Sequence, residues 1–445
     1  MKTVKSSLKI HSLLLTLSLV FTGCLAIAQE EPKMADKEKS TVIDSIQMLM
    51  SESYVFPETG EKMGDLLVQN LKSGKYDEID DYHEFAQILT SDLRSVSNDK
   101  HIGVIYSPER IAMQKNAENE EGEKELEDYI RRIDEAGNYN FKELKILPGN
   151  VGYLKFDRFP DASIAGETAI AALGFLAHTD ALIIDLRDNG GGNPSMIQLI
   201  TSYFFEDSEH LNSFYIRDGN RTTQFWTLPF VPGKKLVNTD LYILTSNYTF
   251  SGAEEFSYNL KNLERATLVG ETTGGGAHPV ERHIINDNFA VSVPFGRAIN
   301  PITNSNWEGT GVEPDVKVSR EEAMDVAYQM ALEKRLENET LDELKSEVAW
   351  TLEGLEAARE GFYLDADKMM EYQGMFGPRS ITYEDGQLYY QREDRPKMKM
   401  IPMKKDLFKF DEIDYFRLKF LRENGQIIAV EGRYDNGKTD RNDRS

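Results

Sequence analysis

Two short stretches of the sequence put residue types where acyl or phosphoryl transfer would need them. In Asp185-Leu186-Arg187-Asp188-Asn189-Gly190-Gly191-Gly192-Asn193-Pro194 a glycine run follows a short apolar strand and opens a helix. Three glycines let backbone N–H groups face outward, and a helix N-terminus adds positive potential. Such a turn suits a phosphate or a transient oxyanion, or it is only a turn. The phosphate option weakens because no Gly-Lys-Ser/Thr follows and the G-x-G-x-x-G spacing is absent. The second stretch, Thr245-Ser246-Asn247-Tyr248-Thr249-Phe250-Ser251-Gly252-Ala253-Glu254-Glu255-Phe256, passes from strand to helix around Ser251. Ser251 can be a plain N-cap, with Glu254 completing a capping box. It can equally be a nucleophile, since the helix start and the N–H of Gly252 favour developing negative charge in the same space. The local sequence leaves both open.

The elements around these stretches predict an α/β fold in several parts. Apolar residues recurring every three or four positions, as in Val42-Ile43-Ile46-Met50 and Phe85-Leu89-Leu93, predict an N-terminal helical domain over 39–110. Residues 111–148 are highly charged and read as a solvated insert or linker. From 149 to 318 strands alternate with helices, and the unbroken apolar run Ala181-Leu182-Ile183-Ile184 is typical of a buried parallel strand. Residues 319–360 read as a helical linker. A small antiparallel β domain is expected over 361–435, because Asp385-Gly386 and Asn424-Gly425 each separate two strand-like runs. The polar residues beyond are expected to fray.

Order and spacing carry the argument further than either stretch alone. The two motifs above are followed by Leu268-Val269-Gly270-Glu271-Thr272-Thr273-Gly274-Gly275-Gly276 and then by Trp307-Glu308-Gly309-Thr310-Gly311-Val312-Glu313-Pro314-Asp315. This series resembles the C-terminal-processing (tail-specific) serine peptidases. The resemblance implies a ClpP/crotonase-like superhelix core, Ser251 as nucleophile, and an oxyanion hole from the backbone at Gly191 or Gly192 and at Gly252. It implies a peptide or unfolded-protein substrate and no cofactor.

Two departures place the chain within that family. Where Ser-Lys members carry Gly-Lys-Gly this sequence has Gly274-Gly275-Gly276, so Gly275 stands at the lysine position. Only about fifty residues separate His101 from Val151, too few for the usual PDZ domain. Both features resemble the branch of the tricorn protease core and the interphotoreceptor retinoid-binding protein, whose base is a histidine after a helical domain. His101, in Asn98-Asp99-Lys100-His101-Ile102-Gly103-Val104, matches that place and is the expected base; His278 is a weaker candidate. A serine hydroxyl needs such a base, and a histidine of ordinary pKa would give an acid limb around 6–7. Glu308 is the expected third member, either reaching His101 or pairing with Lys100, which stands where the tricorn core has a serine.

The N-terminus reads as an export signal. Lys2, Lys5 and Lys9 precede the apolar run Leu13–Phe21, and Ala26-Ile27-Ala28 gives a cleavage site, predicting a signal peptide over 1–28. Thr22-Gly23-Cys24 offers a second route, a lipid anchor at Cys24 on an outer membrane. Either route implies a periplasmic or extracellular protein. Cys24 is the only cysteine, so no disulfide, thiol nucleophile or cysteine metal site is expected in the mature chain. A net charge of −24 disfavours nucleic acid and anionic membranes, and no membrane span or metal is expected. Besides a peptidase, two other classes stay open: a carrier of hydrophobic ligands on the same fold, and an esterase.

Overall fold

The computed structural model describes residues 34–117 and 120–445. The expected signal peptide and Cys24 lie outside them. Among the described residues no helix is long and apolar enough to cross a membrane.

A six-stranded sheet organises the centre of the chain. Its order is Val316–Lys317, Thr267–Gly270, Asp240–Thr245, Ala181–Asp185, Val151–Phe156 and Phe141–Leu147. The first five strands run parallel and the last is antiparallel. The sheet therefore begins inside the segment expected to be a charged linker. Strand Phe141–Leu147 sits at an edge with most side chains exposed, so the charges of Lys142, Glu143 and Lys145 cost little there. The rest of that segment is largely helical, over Pro108–Asn116 and Glu120–Ala136.

Both faces of the sheet are covered. Leu154, Phe156, Leu182, Ile184, Ile243 and Leu268 pack beneath helices Ala162–Phe175, Pro194–Thr201 and Gly252–Asn262. On the other face, Val151, Ile183, Leu244 and Val269 meet Ala323, Ala327, Ala331 and Leu332 of helix Ala323–Asn338. Helix Asp342–Glu360 adds Val348 and Leu352 to the same cluster. The expected linker over 319–360 is thus the second helical layer of the core.

The N-terminal helices Asp36–Ser53, Pro57–Lys72 and Tyr82–Ser97 bury Val42, Ile43, Ile46, Met50, Phe85, Leu89 and Leu93 together. Into the same cluster go Phe289, Val291 and Val293 of strand Phe289–Pro294. That strand lies between Gly103–Tyr106 and Val280–Ile284 in a three-stranded sheet. The N-terminal part is therefore joined to the core by shared β-structure, and the loop between Ser97 and Gly103 is carried against the glycine run at 274–276.

The C-terminal part is an eight-stranded antiparallel sheet from Gly374–Phe376 to Thr439–Asp443, in sequence order. A bridge between Phe376 and Arg444 brings its ends together, so the sheet is nearly a barrel. Asp385-Gly386 and Asn424-Gly425 make the expected tight turns, all four residues at positive φ. Phe376, Phe408, Phe410, Phe416 and Phe420 fill the interior. The expected frayed end is instead the closing strand Thr439–Asp443. Its Asp440 and Asn442 side chains are held by buried Arg379 at 2.7 and 2.8 Å.

Candidate active site

The carboxyl ends of strands Ala181–Asp185 and Asp240–Thr245 lead into the two turns that the sequence singles out, and side chains lock these turns together. Arg187 is clamped on Asp185 by Nε and Nη2 at 2.9 and 2.7 Å, and the Tyr153 hydroxyl donates to Asp185 at 2.7 Å. Ser246 donates to the Arg187 carbonyl at 2.6 Å, and Thr249 to that of Leu186 at 2.8 Å. Asn189 donates to the Phe156 carbonyl at 2.8 Å, while its own carbonyl accepts from Phe250 N–H at 3.1 Å. The charged residues of the first motif are therefore braces, and the glycines are what they hold in place.

Ser251 sits at the N-cap of helix Gly252–Asn262 with φ 53° and ψ −120°, a conformation rarely taken by a residue with a side chain. Glu254 holds it there by accepting the Ser251 N–H at 2.8 Å. The same buried carboxylate accepts from Thr273 Oγ1, Gly275 N–H and Gly276 N–H at 2.5, 2.6 and 2.8 Å. The Ser251 hydroxyl lies 3.1 Å from His101 Nε2.

The backbone donors beside Ser251 divide unequally. Gly191 N–H is committed to Asn189 Oδ1 at 2.8 Å, which removes Gly191 from the expected oxyanion hole. Gly192 and Gly252 N–H have no acceptor among the described residues. Gly192 has φ 144°, and a Cβ there would fall 1.9 Å from the Phe159 carbonyl oxygen, so only glycine fits. A cavity of about 380 Å³ opens next to these groups, lined by Ser251, Gly192, Gly252, Phe214, Glu255 and Trp307 among others.

His101 reaches this point from the N-terminal part. Arg94 pins its loop by donating to the carbonyls of Lys100 and Ile102 at 2.7 and 2.8 Å. Asp99 Oδ1 accepts the His101 backbone N–H at 2.9 Å, and the imidazole lies against Phe250, ring centres 4.7 Å apart. Burial drives the His101 pKa down to about 4, well below the 6–7 expected of an ordinary histidine. The Asp99 charge opposes that shift; His278 and Arg94 add to it. His101 Nδ1 is buried without a partner, 3.8 Å from Asp99 Oδ1.

Behind His101 lies a carboxylate–histidine cluster. Asp99 is buried and accepts from Tyr54 at 3.2 Å and from His278 Nδ1 at 2.7 Å. Burial would raise its pKa, but the hydrogen bond and charge of His278 hold it below the ordinary value. Glu308 Oε2 accepts the Ala277 N–H at 2.6 Å and lies 3.5 Å from His278 Nδ1, and its Oε1 is buried without a partner. Burial, followed by the nearby Asp99 charge, pushes Glu308 up to about 7. Lys100 does not pair with Glu308: its Nζ donates to the Gly274 carbonyl at 2.6 Å. Gly275 has φ 83°, and a Cβ there would sit 3.0 Å from Gly311 N, so the site has no room shaped for a lysine base. Asp99, His101 and Glu308 each bring a donor atom within 4.8 Å of the others and could hold a divalent ion, although the same atoms serve a proton network without one.

The structure thus brings Ser251, Gly192 and Gly252 together around one cavity that His278 also lines, with His101 against Ser251, Glu308 beside His278, and Gly191 and Lys100 in supporting contacts. Asp99 and Tyr54 were not singled out by sequence. Asp99 lies inside the quoted Asn98–Val104 motif, two residues before His101; Tyr54 gives no sequence signal.

Residues 150–318 match the family model for Peptidase family S41, and residues 27–134 match that for the N-terminal domain of Peptidase_S41 in eukaryotic IRBP. Carboxyl-terminal-processing peptidase 1, chloroplastic, of Arabidopsis thaliana is 25% identical over 170 residues, 38% of this chain and 33% of the relative. The tricorn protease of Thermoplasma volcanium is 28% identical over 172 residues, 38% of this chain and 15% of the relative. The chain thus spans a third or less of the length of these two relatives. Among solved structures, mature CPAF superposes with a TM-score of 0.48 at 13% identity, over 68% of this chain and 98% of that one. The photosystem II D1 C-terminal processing protease gives 0.40 at 16% identity, over 64% and 94%.

Proposed function

Because the chain belongs to peptidase family S41, we propose that it is a serine peptidase that cleaves peptides or unfolded tails through an acyl-enzyme on Ser251. The observation that carries this reading is the 3.1 Å approach of His101 Nε2 to Ser251 Oγ beside two unengaged N–H groups. His101 Nε2 takes the hydroxyl proton as Oγ attacks the substrate carbonyl. The carbonyl oxygen becomes an anion and receives hydrogen bonds from Gly192 and Gly252 N–H, fixed before substrate arrives. His101 then returns its proton to the leaving amine, and the C–N bond breaks. A water, deprotonated by the same nitrogen, releases the acyl group and restores Ser251.

For Nε2 to be the base, the neutral imidazole must carry its proton on Nδ1. Asp99 Oδ1 faces that nitrogen at 3.8 Å, and a movement of under about 1 Å would bring it within hydrogen-bond reach. Asp99 is therefore the residue that positions His101, and Glu308 acts through His278 and Asp99. The basic and apolar leader with its Ala26-Ile27-Ala28 site supports work outside the cytoplasm.

Labelling with a fluorophosphonate tests the reading. Wild type should label and Ser251→Ala should not; labelling of the alanine variant would place the nucleophile elsewhere. Wild type that binds apolar ligands yet neither labels nor hydrolyses would make the chain a carrier. Hydrolysis of esters but of no peptide would make it an esterase.

A further inference from the structure

Glu254 and Glu255 are neighbours on one turn of helix, yet their surroundings are opposite. Glu254 accepts four hydrogen bonds and is a fixed part of the nucleophile turn. Glu255 is 4% exposed and lines the cavity that also contains Ser251, Gly192 and Gly252. Its carboxyl is flanked by Asn212 and Asn259, which favour its ionised form. Both asparagines are fully buried, and neither amide nitrogen lies in hydrogen-bonding geometry with any acceptor among the described residues. Burial holds the carboxyl up at about 7. Glu255 therefore presents a buried carboxyl to a cavity lined by the apolar side chains of Phe214, Trp307, Pro279 and Val280 and by the polar ones of Asn193, His278 and Arg158.

We propose that this cavity receives a lysine or arginine side chain of the substrate, on the residue whose carbonyl Ser251 attacks, with Glu255 as its counter-ion. The inference rests on Ser251 being the nucleophile. Glu255 follows Ser251 by four residues, so it lies about 6 Å further along the helix. That depth suits a long side chain whose carbonyl is held at Ser251. The apolar walls cover the methylene stem, and the charged head meets the carboxyl, a division that long cationic side chains favour. A cation beside Glu255 stabilises its ionised form. Arg158 also lines the cavity, but it is mostly exposed and lies 3.7 Å from Asp134, so its charge faces solvent at the mouth.

The test uses the full chain and fluorogenic peptides that differ only in the residue before the cleaved bond. Wild type should cleave the lysine and arginine peptides at least tenfold better, in kcat/KM, than the leucine or alanine peptides. In Glu255→Gln that preference should vanish. Fluorophosphonate labelling of wild type should also be slowed by n-butylguanidinium and unaffected by neutral pentanamide, a measurement that needs no variant. Wild type that labels but prefers leucine, or is indifferent to n-butylguanidinium, overturns the cationic pocket and leaves Ser251 untouched. Wild type that never labels overturns the nucleophile itself. A Glu255→Gln variant that keeps the full lysine preference removes Glu255 from recognition.

Discussion

The two halves of the site are built differently. On the nucleophile side, the side chains of Asn189, Ser246, Thr249 and Glu254 all bond to backbone of the two turns, and Ser251 is held in a strained conformation. On the base side, His101 Nδ1 and Glu308 Oε1 are buried without partners, and Asp99 stands 3.8 Å from the nitrogen it would orient. The groups proposed to meet a developing oxyanion are fixed in advance, where any reorganisation would weaken them. The base and its carboxylates keep slack that a bound substrate can take up. Rigidity is concentrated where charge develops, and the proton-transfer side is completed last.

Removing one group from each half gives the largest expected effect. Ser251→Ala and His101→Ala should each lower kcat by about 10⁴–10⁶, and the double variant should be little worse than either. Independent, multiplying losses in single-turnover assays would mean that the halves do not work as one unit. Asp99→Asn should come next, with a loss of about 10²–10⁴ in kcat and little change in KM, since it leaves His101 without its orienting charge. The Asp99 charge raises the His101 pKa, so the acid limb of this variant should move to lower pH. A limb that stays in place would reduce Asp99 to a structural role.

Glu308→Gln should cost less than Asp99→Asn, because Glu308 touches His278 and the Ala277 backbone and not His101. A larger loss would restore it as the direct partner of His101 and reverse the order of the two carboxylates. In the proposed mechanism the working form of His101 is neutral, so wild-type activity should persist below pH 6 and fall as pH drops through about 4. A pH–rate profile breaking at 6–7 would mean that His101 is hydrated and the base side more open than its burial indicates. The smallest expected effect is none: a chelator should leave labelling unchanged. Lost labelling restored by zinc would show that Asp99, His101 and Glu308 hold a working ion.

The same contrast governs what the sequence could show. The two turns of the nucleophile side are visible locally, as an apolar strand, a glycine run and a serine at a helix start, but only the resemblance favours Ser251 as a nucleophile over a plain N-cap. The base side was read through resemblance, and its internal wiring was not readable. Asp99 and His278 meet at 2.7 Å across 179 residues, and no periodicity reports such a contact. Sequence alone could not choose between Gly191 and Gly192, because the choice depends on the Asn189 side chain reaching back to Gly191 N–H.

In the fold, the central strands and both hairpin turns were plain, since burial and positive φ restrict residue type there. Helix Ala323–Asn338 looks like a linker in sequence because three of its four buried residues are alanines, which carry a weak apolar signal. Strands Phe141–Leu147 and Thr439–Asp443 were missed because edge positions and a polar closing strand tolerate charge.

The backbone at Ser251 also settles which nucleophiles the turn can carry. A threonine offers the same hydroxyl, but a β-branched side chain is a genuine outlier at φ 53°. A Cβ on Gly191 would stand 2.8 Å from that of Ser251, so residue 191 must be glycine for Ser251 to keep this place. Backbone shape alone thus favours serine over threonine at this turn. Random mutagenesis followed by selection for activity should recover Ser251 unchanged, with threonine as absent from the survivors as alanine.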